Sequence, residues 1–429
     1  MDQTKWQWLA LQFTKRLWFR ASLFAVLGVA TAFAAIVLER YLPDELPTQV
    51  GADAVDRLLG IIASSMLTVT TFSLTTMVSA YASSASGVTP RATRLLMEDR
   101  TSQNVLATFI GSFLFSLVGI IILSTGAYGE RGRLVLFGVT LVVIVLIVVT
   151  LLRWIDHLSR LGRVTETIDR VEEEVIEVLS ERCRRPFLGA RPATEWREVE
   201  GEEVFAKKVG YVQHLDMAHL QELGERLDAR IRVDAPPGTF LDLSRPLATI
   251  SGPVSDEDRD VIRQAFTIER KRDFAQDPRF GLAVLAEVGS RALSASINDL
   301  GTAIDVVGRS VRVLSVCAGP REQAKPTHDR IFVPPLGMRD LFDDVFTPLA
   351  RDGANLLEVQ VRLQKALLAL ARLDQGLAPD AARHSAIALA RAELALQLPD
   401  DVEAVRALAR GVQEEARKTA GKNNVCTAI

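Results

Sequence analysis

LLGIIASSMLTVTTFSLTTMVSAYASSASGVTP, residues 58–90, lies between Arg57 and Arg91 and holds no charged side chain. A helix needs about 20 apolar residues to cross a hydrocarbon core of about 30 Å, so this stretch can cross a bilayer and continue past one face. Its polarity sets it apart from an ordinary span. Ser64, Thr68, Thr71, Thr75 and Ser79 recur at steps of four, three, four and four, a spacing that puts them on one face of an α-helix. Met66, Val69, Phe72 and Met77 fall largely off that face. The expected fold is built around this hydroxyl-lined membrane helix.

Working outward, three more charge-poor runs predict a four-helix transmembrane domain over residues 21–153, with spans at about 18–38, 58–82, 105–127 and 134–152. Residues 1–20 read as an interfacial segment, because Trp6, Trp8, Phe13, Trp18 and Phe19 alternate with Lys5, Lys15, Arg16 and Arg20, and aromatic rings beside basic heads favour the headgroup level. Gly111 and Gly119 in the third span are expected points of close helix approach. The fourth span is dense in Val, Ile and Leu and is expected to face lipid. Arg91, Arg94 and Arg100 crowd the loop after the second span, and the segment after Arg153 is also basic, whereas the few charges of residues 40–57 are mostly Asp and Glu. Only Arg131 and Arg133, in the turn between the last two spans, dissent. The positive-inside rule then places the N-terminus and everything after Arg153 in the cytosol. No short apolar core followed by a small-residue cleavage site opens the chain, so no removed signal peptide is expected.

Composition agrees with a divided chain. Hydrophobic residues reach 48% and mean hydropathy is +0.17, yet 24% of residues are charged. The two facts fit together if the hydrophobicity is concentrated, and it is concentrated before Arg153. A net charge of −3 gives no basic field for nucleic acid. Cys183, Cys317 and Cys426 are odd in number and far apart. They suggest neither a disulfide framework nor a zinc site, and reduced cytosolic thiols are expected.

After the spans, residues 154–199 are expected to form a linker with an amphipathic helix at about 160–183. Residues 200–254 mix turns with strand-like runs such as VFAKKVGYVQHLD, ARIRVDA and PLATI, and predict a small β-rich module. Residues 255–420 predict a helical cytosolic region whose helices pack antiparallel, interrupted by the extended HDRIFVPPLG. Residues 421–429 are expected to be a disordered tail. The fold class is a mainly α membrane protein with a cytosolic α+β domain.

YASSASGVTPRATRLLMEDRTSQNVLATFIGSFLFSL, residues 81–117, resembles the loop and third span of a bacterial family of predicted inner-membrane proteins, the domain of unknown function numbered twenty-two fifty-four. That family carries a cytosolic segment like D-P-x-F-G-L followed by A-L-S-P-x-I-N-D-P-x-T-A. The matching residues here are Asp277, Pro278, Phe280, Gly281 and Leu282, then Ala292, Leu293, Ser294, Ile297, Asn298, Asp299, Thr302 and Ala303. Ala295 and Leu300 stand where the family usually has proline, and His157 stands where it often has histidine. The stretch GYVQHLD with IRVDAPPGTFLDLSRPLATI also fits. The resemblance covers most of the chain. It implies the architecture, a structural or gating role for Ser294, Asn298, Asp299 and Thr302, and no assigned activity.

The candidate site follows from the spans. The hydroxyl row Ser64, Thr68, Thr71, Thr75 and Ser79 is expected to line a pore, where hydroxyls replace part of an ion's hydration. The plainer reading of any single one is a helix contact or a bond to the carbonyl four residues back. Arg91, Arg94, Arg100 and His157 are expected at the cytosolic mouth, with the arginines serving as anchors to anionic lipid. No acid, base or lysine lies inside any of the four apolar runs, which argues against proton coupling. His214 and His219 are five apart, a poor spacing for one metal, and no cofactor or metal is expected. Asn298 or Asp299 is expected to cap a helix starting near Leu300. No catalytic constellation is visible, so an enzyme is not expected. The expectation is an ion channel or passive solute pore. One hydroxyl face per chain requires a homo-oligomer in the bilayer. The alternative is a membrane-anchored binding or scaffold protein.

Overall fold

The computed structural model describes residues 52–97, 99–125, 130–197, 201–319 and 325–426, together with Phe19, Ser22, Val26, Val29, Ala30 and Ala34. Those six single residues are all helical. The rest of the expected first span, and the interfacial segment apart from Phe19, lie outside the described residues. The chain divides into two compact units, one of Leu9–Thr167 and one that contains Ile168–Ile429.

The first unit is a helical membrane domain. Its described elements are α1 (Ala52–Gly87), α2 (Thr93–Met97), α3 (Arg100–Ser124) and α4 (Glu130–Arg160). Three helical stretches among the described residues are long and apolar enough to cross a membrane: Ala54–Ala85, Thr93–Ser124 and Gly132–Arg160. The middle one is the core. Phe109 and Phe115 of α3 are buried, with Leu59 and Met66 of α1 on one side and Leu136 and Ile147 of α4 on the other. Gly119 of α3 allows the close approach expected of it, since a Cβ there would come 3.0 Å from Leu59. On α4, Val142, Val145, Leu152 and Ile155 are exposed, the apolar surface that a lipid-facing helix presents.

The second unit takes up α5 (Val164–Arg184) from Ile168 onward and then becomes mixed. Its strands are β1 (Ala190–Pro192), β2 (Gly201–Phe205), β3 (Gly210–Leu215), β4 (Ile231–Val233), β5 (Phe240–Leu241), β6 (Pro246–Ser251), β7 (Phe266–Glu269) and β8 (His328–Val333). Two helices, α6 (Met217–Arg226) and α7 (Asp256–Ala265), lie among them. The strands form a five-stranded sheet of order β1-β8-β4-β6-β2 and a three-stranded sheet of order β5-β3-β7. Both sheets share one core, with Ile231, Ile250 and Ile331 from the larger, Val212 and Ile268 from the smaller, and Leu220 and Ile262 from the helices. The β region is therefore wider than residues 200–254. It recruits β1, β7 and, from far down the chain, β8, which pairs in parallel with both β1 and β4. A parallel partner needs a long crossover, and here the crossover contains helices.

Six helices complete the unit: α8 (Pro278–Ala292), α9 (Leu300–Ser315), α10 (Met338–Asp352), α11 (Leu357–Leu373), α12 (Ala378–Ala395) and α13 (Pro399–Cys426). The last continues as helix to Cys426, across most of the stretch expected to be a disordered tail. Two features of this region lead to stability predictions. A Cβ at Gly281 would run into the Val175 side chain of α5, so glycine is what lets α8 lie against α5. Gly281→Ala is expected to lower stability by about 1–3 kcal/mol, the usual cost of overpacking, read as a reduced denaturation midpoint of the purified protein. An unchanged midpoint would show that the contact yields freely.

The second feature is His384 on α12. Its ring packs against Phe342 and Phe346 of α10, and its Nε2 lies 3.0 Å from Asp343 Oδ1. Burial, reinforced by the neighbouring Arg383, pushes His384 from its ordinary 6.5 down to about 4, against the opposing pull of Asp343. Between those values the unfolded chain binds a proton that the folded chain does not. Stability is thus present above pH 6.5 and is lost as the pH falls toward 4. From pH 7 to pH 5 the loss is expected to be on the order of 1–2 kcal/mol, and a His384→Gln variant should lack that component. Identical pH profiles of melting temperature for the two proteins would contradict the assignment.

Candidate functional site in the membrane helices

The sequence of α1 sorts its residues onto two faces. Val55, Leu59, Ile62, Met66, Ser73 and Met77 are buried against the other helices of the unit. Ser64, Thr68, Thr71, Thr75 and Ser79 are all exposed. The hydroxyl row therefore turns away from the helices that α1 packs on, and a contact role within the described part of the unit is excluded for it. Leu67, Thr68, Thr71, Phe72 and Thr75 line a shallow groove on this outer side. Phe72 is thus beside the row, while Met66 and Met77 lie on the packed face, as far off it as the spacing implied.

Each hydroxyl along the middle of the row also bonds inward to its own helix. Ser64 donates to the Gly60 carbonyl, Thr68 to that of Ser64, Thr71 to that of Leu67 and Thr75 to that of Thr71, each at 3.0 Å. This is the back-bonding expected of a Ser or Thr within a helix. It satisfies the donor without using up the oxygen. With the protons directed at carbonyls, what the outer face offers is a column of oxygen lone pairs.

The basic end of the unit holds a polar cluster. Arg91 and Arg100 are exposed and Arg94 is half-buried. Asp99, buried, is the N-cap of α3 and accepts from the Ser102 amide at 2.7 Å and the Ser102 hydroxyl at 2.6 Å. His157 of α4 brings Nε2 to 3.0 Å from Asp99 Oδ2 and 3.1 Å from Ser102 Oγ. Its ring stacks on Trp154, centroids 5.6 Å apart, and Trp154 donates to Ser73 Oγ of α1 at 2.8 Å. The network ties α1, α3 and α4 together at one end. It is not arranged as a hydrolytic triad. Such a triad places the carboxylate on the ring nitrogen away from the serine, whereas Asp99 and Ser102 here meet the same nitrogen and the serine hydroxyl already donates to the carboxylate.

Asp99 and His157 amend the reading that no ionisable group lies within a span. The helices run past the apolar runs, and both residues, Asp99 as the N-cap of α3 and His157 in the last turn of α4, lie inside the unit. The Asp99-x-x-Ser102 spacing ahead of an apolar run is an N-cap signal and could have located the start of α3. The sequence reading also missed a second hydroxyl row, Thr108, Ser112 and Ser116 of α3, which is buried in the unit core.

Ser294, Asn298, Asp299 and Thr302 come together in the second unit, in the turn from α8 to α9. Ser294 Oγ donates to the Arg291 carbonyl at 2.7 Å, closing α8. Asn298 adopts a left-handed backbone, φ 50°, which asparagine tolerates better than most residues. Asp299 is the N-cap of α9, accepting from the Thr302 amide at 3.0 Å and its hydroxyl at 2.6 Å. Those bonds from Thr302 hold the Asp299 carboxyl below its ordinary range. The turn closes without the two prolines of the family pattern, through Asn298 N to Ser294 O at 2.9 Å and Asp299 N to Ala292 O at 2.8 Å. These four residues stop one helix and start the next.

A family model described as a predicted membrane protein (DUF2254) matches residues 14–369. No curated protein and no solved structure matches the chain.

Proposed function

The chain belongs to the DUF2254 family of predicted membrane proteins, and from that premise we propose that it is a homo-oligomeric, passive ion channel of the bacterial inner membrane, lined by the hydroxyl face of α1. The observation that carries this reading is the outward exposure of Ser64, Thr68, Thr71, Thr75 and Ser79 opposite a packed apolar face. Against lipid tails, five oxygens would contribute nothing. Along a water-filled path they substitute for part of an ion's hydration shell. Outward lone pairs suit small cations better than anions, and uncharged oxygens make the preference weak. One such face cannot enclose a path, so several copies must bring their α1 helices around one axis.

Orientation follows from the basic residues. Arg91, Arg94, Arg100, Arg153, Arg160 and Arg163 flank the helix ends on one side, against Arg57, Arg131 and Arg133 with Asp53, Asp56 and Glu130 on the other. The positive-inside rule assigns the first side, and with it the whole second unit, to the cytosol. There the second unit assembles the ring and gates it. A membrane-anchored recruiting protein is the second reading, favoured by exposed Val209, Phe240 and Leu243 near the edge strand β5. Subunit number separates the two. In lipid nanodiscs or mild detergent the channel reading expects a ring of several copies by native mass spectrometry, and a monomer under all such conditions would count decisively against it.

A further inference from the structure

We propose that Cys183 and Cys317 form a reversible thiol–disulfide pair, a redox modification site that fastens α5 to the end of α9. The cysteines lie 134 residues apart in sequence, yet their Cα atoms are 5.5 Å apart and the sulfurs are bonded. That separation lies within the range a disulfide spans. The finding overturns the expectation of three unconnected thiols. It also raises a conflict of compartments, because disulfides persist in oxidising surroundings while the cytosol keeps thiols reduced. The cytosolic placement of the second unit, taken from the proposed orientation, resolves it. A cytosolic pair in bonding register is one that opens and closes with the redox state.

The surroundings fit such a site. Cys183 is half-buried and Cys317 is buried, 3% exposed, so an oxidant meets Cys183 first. The sulfurs stay aligned without the bond, because α5 and α9 are also joined by ion pairs. Arg309 binds Asp169 at 2.5 Å and Glu172 at 2.7 Å, and Arg312 binds Glu172 at 2.5 Å.

The oxidant class is a hydroperoxide. The Cys183 thiolate attacks the terminal peroxide oxygen, the O–O bond breaks, and the leaving alkoxide or hydroxide takes up the proton that the thiol released, which leaves Cys183 a sulfenic acid and the oxidant an alcohol or water. The Cys317 sulfur then attacks the Cys183 sulfur. The S–S bond forms, the S–O bond breaks, and the Cys317 proton leaves with the hydroxide as water. Two electrons pass from the thiol pair to the peroxide. A dithiol reductant reverses the change by exchange through a mixed disulfide.

The test is thiol counting on the full chain. Expressing cells are quenched in acid and alkylated with maleimide–polyethylene glycol, before and after hydrogen peroxide and again after dithiothreitol. Three cysteines give three mass shifts when reduced. The proposal expects three shifts at rest, one after peroxide and three after reduction. Cys183→Ser should give two throughout, whereas Cys317→Ser should give two at rest, one after peroxide, because its Cys183 stays a sulfenic acid that maleimide does not label, and two after reduction. The oxidised wild type should also melt several degrees above the reduced form, a difference that the single variants lack. A pair that stays reduced under peroxide overturns the proposal, and so does one that is oxidised in resting cells. A membrane-impermeant maleimide distinguishes the failures. Labelling of Cys426 in intact spheroplasts would show that the orientation itself is wrong. Labelling confined to inverted vesicles, with an unresponsive pair, would remove the switch and leave the orientation standing.

Discussion

Thr71→Phe is expected to cut ion flux through the reconstituted protein by about tenfold or more, because a ring of aromatic side chains would replace hydroxyls at mid-row and close a narrow path. Thr71 sits at the centre of the row, is exposed, and lines the outer groove with Thr68 and Thr75. Its hydroxyl bonds only within its own helix, so the substitution removes no contact between the described helices and should leave the fold intact. Thr75→Leu, smaller and four residues on, should have a weaker effect of the same sign. Val148→Phe is the control. Val148 is also exposed in the membrane unit, on α4, and a larger side chain there meets lipid and should leave flux unchanged. Loss of flux in Val148→Phe equal to that in Thr71→Phe would mean that bulk in the bilayer, and not the hydroxyl face, sets the result.

Arg309→Ala is expected to cost about 3–5 kcal/mol of stability in the second unit, the range for removing one partner of a buried ionic cluster. Arg309 is 5% exposed and is shared by three carboxylates, Asp169 at 2.5 Å, Glu172 at 2.7 Å and Asp305 at 2.6 Å. Without it, Asp169 and Asp305 lose the guanidinium they share, and the buried Glu172 is left with Arg312. Denaturant midpoints of the two proteins at neutral pH would show this. A deficit near zero would mean that the ion pairs do no more than offset their own desolvation.

Some of this architecture can be read from single stretches of the chain. The hydroxyl face of α1 is local information, since a period of 3.6 residues decides which side chains share a face. The helices of the second unit follow from caps and apolar spacing, although the sequence leaves the cap of α9 open between Asn298 and Asp299 and the structure gives it to Asp299. Features that join distant residues were not readable. Nothing near His157 indicates that Asp99 and Ser102 will meet its ring. The strand-like His328–Val333 carries no turn signal toward β1 or β4, because a parallel pair has no hairpin. Cys183 and Cys317 looked unrelated for the same reason, since proximity across 134 residues is a property of how α5 and α9 pack. The side of α1 that faces its neighbours was likewise undecided by spacing alone, and the burial of Met66, Ser73 and Met77 decides it.

The most direct measurement is ion flux of the purified wild-type protein in sealed proteoliposomes under an imposed potassium gradient, beside protein-free vesicles of the same lipid. The account predicts a protein-dependent leak that needs no proton gradient or energy source, carries small cations ahead of anions, and scales with the amount of assembled oligomer. Vesicles no leakier than the protein-free control, across several cations and anions, pH values and membrane tensions, would contradict the pore and shift the function to the surface of the second unit.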